Sequence, residues 1–166
     1  MAGETKKADA LGAWRSIARD IETAIDGLAE DELDLRGGSE GWSIRETAHH
    51  LVESDLVIGT AIIAAVARSG SIYDWSWVSP DLDWMQQAGY STAPVRPALL
   101  ALKALSEHVA GLVSARPDGY LREVQLLDAP GSKPYTRTVR DLLVQQVEHS
   151  REHLRVVAQI RAGHGR

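Results

Sequence analysis

Residues 41–70 read GWSIRETAHHLVESDLVIGTAIIAAVARSG, and this stretch decides how the chain folds. Ser43 followed by Glu46 has capping-box spacing: the Ser hydroxyl accepts from the amide three residues on, and the Glu carboxylate reaches back to the Ser amide. A helix therefore starts at Ser43, continues through Val66 and ends near Gly70. Ile44, Ala48, Leu51, Asp55 and Ile62 run along it in one line.

Working outward, the same reasoning finds three more helices. Leu11, Trp14, Ile17, Ile21, Ala24, Ile25 and Leu28 recur at three- and four-residue spacing, which predicts helix one from about Ala8 to Ala29, before the glycine-rich break at 37–41. Helix three begins near Pro97, carries Leu99, Leu100, Leu102, Leu105, Val109 and Leu112, and stops before Pro117. Helix four starts near Thr138, with Asp141 three residues on, and runs to Ala162 ahead of Gly163. Four amphipathic helices without convincing central strands predict an all-α four-helix bundle, a single domain over residues 1–166. The connection between helices two and three is rich in large rings (Tyr73, Trp75, Trp77, Trp84, Tyr90) and is expected to pack as a lid or plug. Between helices three and four, residues 120–127 could pair as a short strand with residues near Tyr135, although Pro134 and the turn at 129–131 weigh against it.

Composition narrows the function. With 44% hydrophobic and 25% charged residues, the chain is globular rather than disordered. Phe is absent, so aliphatic side chains and five Trp must fill the core, and each buried Trp needs a partner for its N–H. No cysteine is present, which excludes thiolate metal sites and leaves His, Asp and Glu as ligands. A net charge of −5 argues against a general nucleic-acid binder. The polar start of the chain has no signal-peptide core, and the apolar run at 56–67 is too short for a bilayer; a cytoplasmic protein with no membrane partner is expected.

The histidines carry the chemistry. His149 and His153 are i and i+4 on helix four, so their rings share a face and can converge on one ion. Their heptad relation to Leu142, Val156 and Ile160 places them on the seam facing the bundle interior. Two such His also arise by chance, paired with Glu148 or Glu152 at a surface. A third ligand should come from His49 or His50, and helical periodicity does not choose between them. His108 is a possible fourth ligand but reads as a bystander, and His164 as a solvated tail residue. Glu53 and Asp55 read equally as partners that orient an imidazole or as ordinary surface or capping charges.

The segment Gly41-Trp42-Ser43-Ile44-Arg45-Glu46-Thr47-Ala48-His49-His50-Leu51 resembles the start of helix two in the DinB/YfiT-like superfamily, approximately Gly-Trp-Ser/Thr-x-x-Glu/Gln-x-x-x-His-Leu. Glu148-His149-Ser150-Arg151-Glu152-His153 resembles that family's His-x-x-x-His on helix four. The resemblance implies an up-down-down-up bundle and selects His50, so that His50, His149 and His153 would hold one divalent ion, nickel or zinc, with positions open to water or substrate. It also implies a homodimer, a small-molecule substrate and, in one branch, a low-molecular-weight thiol as co-substrate. Two departures bear on that branch: the Tyr-Pro-Ile-Gly-type extension before helix one is absent, and Glu152 and Val156 stand where relatives carry extra His. The expectation is a metal-dependent enzyme that activates a thiol or water against a small electrophile. The alternatives are a non-catalytic metal- or ligand-binding bundle, and a metal-free bundle with His149 and His153 at a dimer interface.

Overall fold

The computed structural model describes residues 2–38 and 41–165, with side chains from Ala10 onward. Four long helices, α1 (Ala2–Ile25), α2 (Ile44–Ala67), α4 (Val95–Ser114) and α5 (Val139–Gly163), form the bundle. A short helix, α3 (Leu82–Gln87), and three strands, β1 (Ser71–Asp74), β2 (Glu123–Leu127) and β3 (Tyr135–Thr138), lie in the connections. Both capping boxes form: Ser43 with Glu46 at α2, and Thr138 with Asp141 at α5. At α2 the box is reinforced by Arg36, whose guanidinium lies 2.8 Å from the Glu46 carboxylate.

The helix directions follow from who meets whom. Arg45 and His49, at the start of α2, contact Ala93 just ahead of α4, while Arg122 beyond the end of α4 donates to the Val66 carbonyl, so α2 and α4 run parallel. Ser54 meets Gln146 while His50 meets His149, so α5 runs antiparallel to α2. Arg161 near the end of α5 donates to the Ala24 carbonyl near the end of α1, which sets those two parallel. The order is up, down, down, up, with α1 and α2 each packed between α4 and α5. Gly59 is what lets α4 come close to α2, because a Cβ there would stand 3.3 Å from Leu105.

The core is aliphatic, centred on Ile21, Ile44, Leu51, Ile62, Leu102, Leu142 and Leu143, with one large ring, Trp14. Burying a side chain of this size contributes about 1.5–3 kcal/mol. Among the described residues α2 is the one helix long and apolar enough to cross a membrane, but 56% of that window is buried inside the bundle, so its hydropathy is that of a core helix. The expectation that every buried Trp finds a partner fails: the indole nitrogens of Trp14 and Trp75 have no hydrogen bond. Their rings are held by packing instead.

Several boundaries and one connection differ from expectation. The first helix starts at Ala2 and ends at Ile25, four residues before Ala29, because Gly27 turns the chain with φ +76°. Ser39 and Glu40 of the glycine-rich break lie outside the described residues. The stretch between the second and third long helices is not one aromatic loop but contains β1 and α3. β1 pairs in parallel with β2, Ser71 opposite Val124, and β2 pairs antiparallel with β3, so the doubtful hairpin exists and gains a third strand. Pro134 lies just outside β3, where its missing N–H costs the ladder nothing. The rings divide: Tyr73 and Trp75 pack on the core, whereas Trp77 is 53% exposed.

Two stability predictions follow from this framework. Ser43→Ala removes the cap that starts α2 and should cost about 1 kcal/mol, lowering the thermal midpoint by about 2–4 °C in a melt followed by circular dichroism. Gly119 lies against the carbonyl of Val113, so a Cβ would force backbone apart. Gly119→Ala should therefore cost about 1–3 kcal/mol in a denaturant titration.

Candidate metal centre

α2 and α5 bring the three expected histidines together. His50 sits in the second turn of α2, whose start is fixed by the Ser43 cap and by buried Arg45, which pairs with Glu30 and Asp34. His149 and His153 face it from consecutive turns of α5. Their Nε2 atoms converge: His149 lies 3.2 Å from His50 and 3.1 Å from His153, and all three ligand atoms lie within 4.8 Å of one another. Trp42 walls the cluster, stacked on His153 at 5.5 Å with an interplanar angle of 6° and tilted against His50 at 4.6 Å.

This arrangement suits an ion better than it suits hydrogen bonding. A neutral imidazole has one lone pair, so Nε2 of His149 cannot make good hydrogen bonds with both neighbours. Two nitrogens at about 2.0–2.1 Å from one ion stand about 2.9 Å apart at octahedral angles and about 3.3 Å at tetrahedral ones. The 3.1 and 3.2 Å from His149 to its two neighbours fall between these values, and the three nitrogens together lie within 4.8 Å. The donor set, three imidazoles with no thiolate, fits a divalent transition metal of the kind imidazole suits, among them zinc, copper, iron and nickel.

Electrostatics favour the neutral, ligating form. Burial, with the neighbouring His153 and His149, pushes His50 down to about 3. Burial and His153 push His149 down to about 4, against a smaller opposing pull from Glu152. Burial also lowers His153. The two α5 histidines are half-buried rather than central: Val156 on the expected seam is 43% exposed, so that line marks the edge of the buried stripe. An edge position is what keeps a face of the cluster open. A cavity of about 280 Å³ adjoins His50 and His149, walled by Val57, Ile58, Trp75 and Val78 and carrying Glu53 and Asp128.

The other candidates separate clearly. His49 is as buried as His50 but turns away, bonding the Ala93 carbonyl at 3.1 Å and stacking on Tyr90 at 5.0 Å. His108 is exposed and lies outside the cluster, and exposed His164 donates from Nδ1 to the Ile160 carbonyl at 2.8 Å. Glu53 accepts from the indole of Trp84 at 2.9 Å and the hydroxyl of Tyr90 at 3.0 Å, so it ties the aromatic segment to α2. Asp55 is no surface or capping charge: it is fully buried, and burial raises its carboxyl well above the ordinary range. Sequence reasoning missed Ser54 and Gln146, which meet at 3.0 Å beside His149. The available signal was a polar Gln146 and Ser150 on the stripe begun by Leu142.

The DinB superfamily profile matches residues 13–157. A protein of Geobacillus kaustophilus named "Putative metal-dependent hydrolase" is 26% identical over 158 residues, covering 93% of this chain and 84% of its own length. A protein of the same name from Geobacillus thermodenitrificans is 20% identical over 157 residues, with the same coverage. Among solved structures, YfiT from Bacillus subtilis, described as a probable metal-dependent hydrolase with an unusual four-helix bundle topology, superposes with a TM-score of 0.82 at 18% identity, over 96% of this chain and 87% of that one. With the profile spanning most of the chain and the bundle shared, this protein belongs to the DinB superfamily.

Proposed function

We propose that the chain is a metal-dependent enzyme in which His50, His149 and His153 hold one divalent ion, nickel or zinc, and the adjoining cavity binds a small electrophile for attack by water. The observation that carries this reading is the convergence of three Nε2 atoms, at 3.1–3.2 Å about His149, on the edge of an open cavity. When bound, such an ion supplies Lewis acidity and lowers the pKa of a coordinated water or thiol. The protein's part is to keep the imidazoles neutral by burial, to fix their rings between Trp42 and the helix backbones, and to line the approach with apolar surface. The cavity lies at the small end of ligand sites, which suits a compact substrate.

Water is favoured over a low-molecular-weight thiol as the nucleophile. Among the described residues the cavity lining presents Glu53 and Asp128 and no Lys or Arg, so a thiol bearing carboxylates would meet like charge there. The names of the relatives point the same way. A homodimer is the proposed assembly.

Metal analysis of purified, untagged protein tests the site. Wild type should carry about one nickel or zinc per chain. His50→Ala and His153→Ala should carry almost none, whereas His49→Ala should keep its metal because that ring faces Ala93 and Tyr90. Equal metal content in all four would refute the triad. Turnover of small esters and amides by the loaded wild type, lost in His50→Ala, would support hydrolysis; turnover only with added thiol would replace water by thiol.

A pH dependence follows from the buried imidazoles. In the unfolded chain they titrate near 6.5, about the ordinary value. In the folded, metal-free protein His50 and His149 titrate at about 3 and 4. Between those limits the unfolded state binds more protons, so stability present above the unfolded pKa is lost as pH falls towards the folded values. The urea midpoint of metal-free protein should therefore drop from pH 7.5 to pH 5. His50→Ala should flatten that slope, and an unchanged slope would contradict the burial of a neutral His50.

A further inference from the structure

Beside the histidine cluster, a run of polar side chains leads from His149 into the apolar core. Ser54 Oγ lies 3.4 Å from His149 Nδ1 and donates to Gln146 Oε1 at 3.0 Å. A hydroxyl has one proton to give. With that proton committed to Gln146, Ser54 can only accept from His149, so Nδ1 of His149 must carry hydrogen and Nε2 must keep its lone pair. The Gln146 amide nitrogen is buried without a well-formed hydrogen bond, and the carboxamide lies against Asp55. Neither oxygen of Asp55 has a well-formed bond, and the residue is 0% exposed.

A wholly buried carboxyl in an aliphatic core is costly, by several kcal/mol in order of magnitude if left unpaired. Apolar packing would be cheaper at this position, on the same helix line as Leu51 and Ile62. Asp55 therefore stands where fold stability alone would place a Leu.

We propose that Ser54, Gln146 and Asp55 are positioning residues for the metal: His149 Nδ1–H donates to Ser54, Ser54 donates to Gln146 Oε1, and the Gln146 carboxamide rests against Asp55, an arrangement that locks His149 as the Nε2 ligand and sets its ring angle. His149 is the member that needs this support, since its Nε2 stands between the other two. His50, by contrast, has its buried Nδ1 unpartnered and is held by its contact with Trp42. The arrangement thus makes His149 the anchored member of the site. This inference rests on the metal-site reading above.

The test measures zinc affinity by chelator competition and, separately, thermal unfolding of the metal-free protein. Ser54→Ala should weaken zinc binding by about 10–100-fold, the usual cost of losing the partner of a ligating histidine. Ser54→Thr, which keeps the hydroxyl, should restore it. Asp55→Leu should act in opposite directions on the two readouts, raising the unfolding midpoint of metal-free protein while weakening zinc by about 10-fold. A purely structural role would move the melt and leave zinc binding alone. Wild-type zinc affinity in both Ser54→Ala and Asp55→Leu overturns the proposal while the triad stands. Loss in Ser54→Ala alone removes Asp55 from the arrangement. Failure of wild type to take up zinc or nickel removes the metal reading and this inference together. Should Asp55→Leu not fold, the Ser54 pair still decides.

Discussion

Two imidazole nitrogens held 3.1–3.2 Å from a third, that of His149, impose a condition on everything around them. They must come from two helices in fixed register, because a slip of one residue rotates a helical side chain by about 100°. The register of α2 against α5 is set far from the rings as well as near them. The Ser43 and Thr138 boxes fix where each helix starts, and Arg45 ties the first turn of α2 to Glu30 and Asp34. Gly59 then lets α4 close on the opposite side of α2. α2 packs on α4 and α5 and lies diagonally from α1, so α5 meets α2 along the histidine line.

The small sheet belongs to the same logic. By pairing β1 with β2 it fastens the segment after α2 to the segment after α4, and Trp75 follows at once, its amide bonded to the Leu127 carbonyl at 2.9 Å. Trp75 walls the cavity, and further along the same connection Trp84 and Tyr90 are held by Glu53 from α2. The aromatic segment is thus secured at both ends while Trp77 remains exposed. The aliphatic core offsets the polar groups held out of water: the Asp55 carboxyl, two unpartnered indole nitrogens and the buried His50 beside its two half-buried partners.

Local chemistry was readable from the chain, and long-range pairing was not. Ser43 with Glu46, Thr138 with Asp141, and His149 with His153 are contacts within one helical turn, so spacing alone reveals them. His50 could not be told from His49 by periodicity because both are buried, at 6% and 7% exposure, and only their neighbours differ. Resemblance to a family pattern made that choice, and it is His50 that lies in the cluster with His149 and His153. The pairing of Ser71 with Val124 joins positions too distant for any local signal, so the sheet was read as half a hairpin. Asp55 lay on the inward line and was still open to a surface reading, since charge ordinarily argues against burial.

X-ray absorption at the metal edge of the loaded, untagged protein tests the central claim most directly. The account predicts imidazole scattering from three nitrogens at about 2.0–2.1 Å, with remaining positions filled by light atoms from solvent. The pattern should change when His153 is replaced. A spectrum without histidine scattering, or one unchanged in His153→Ala, would show that the ion lies elsewhere and that the cluster is not its site.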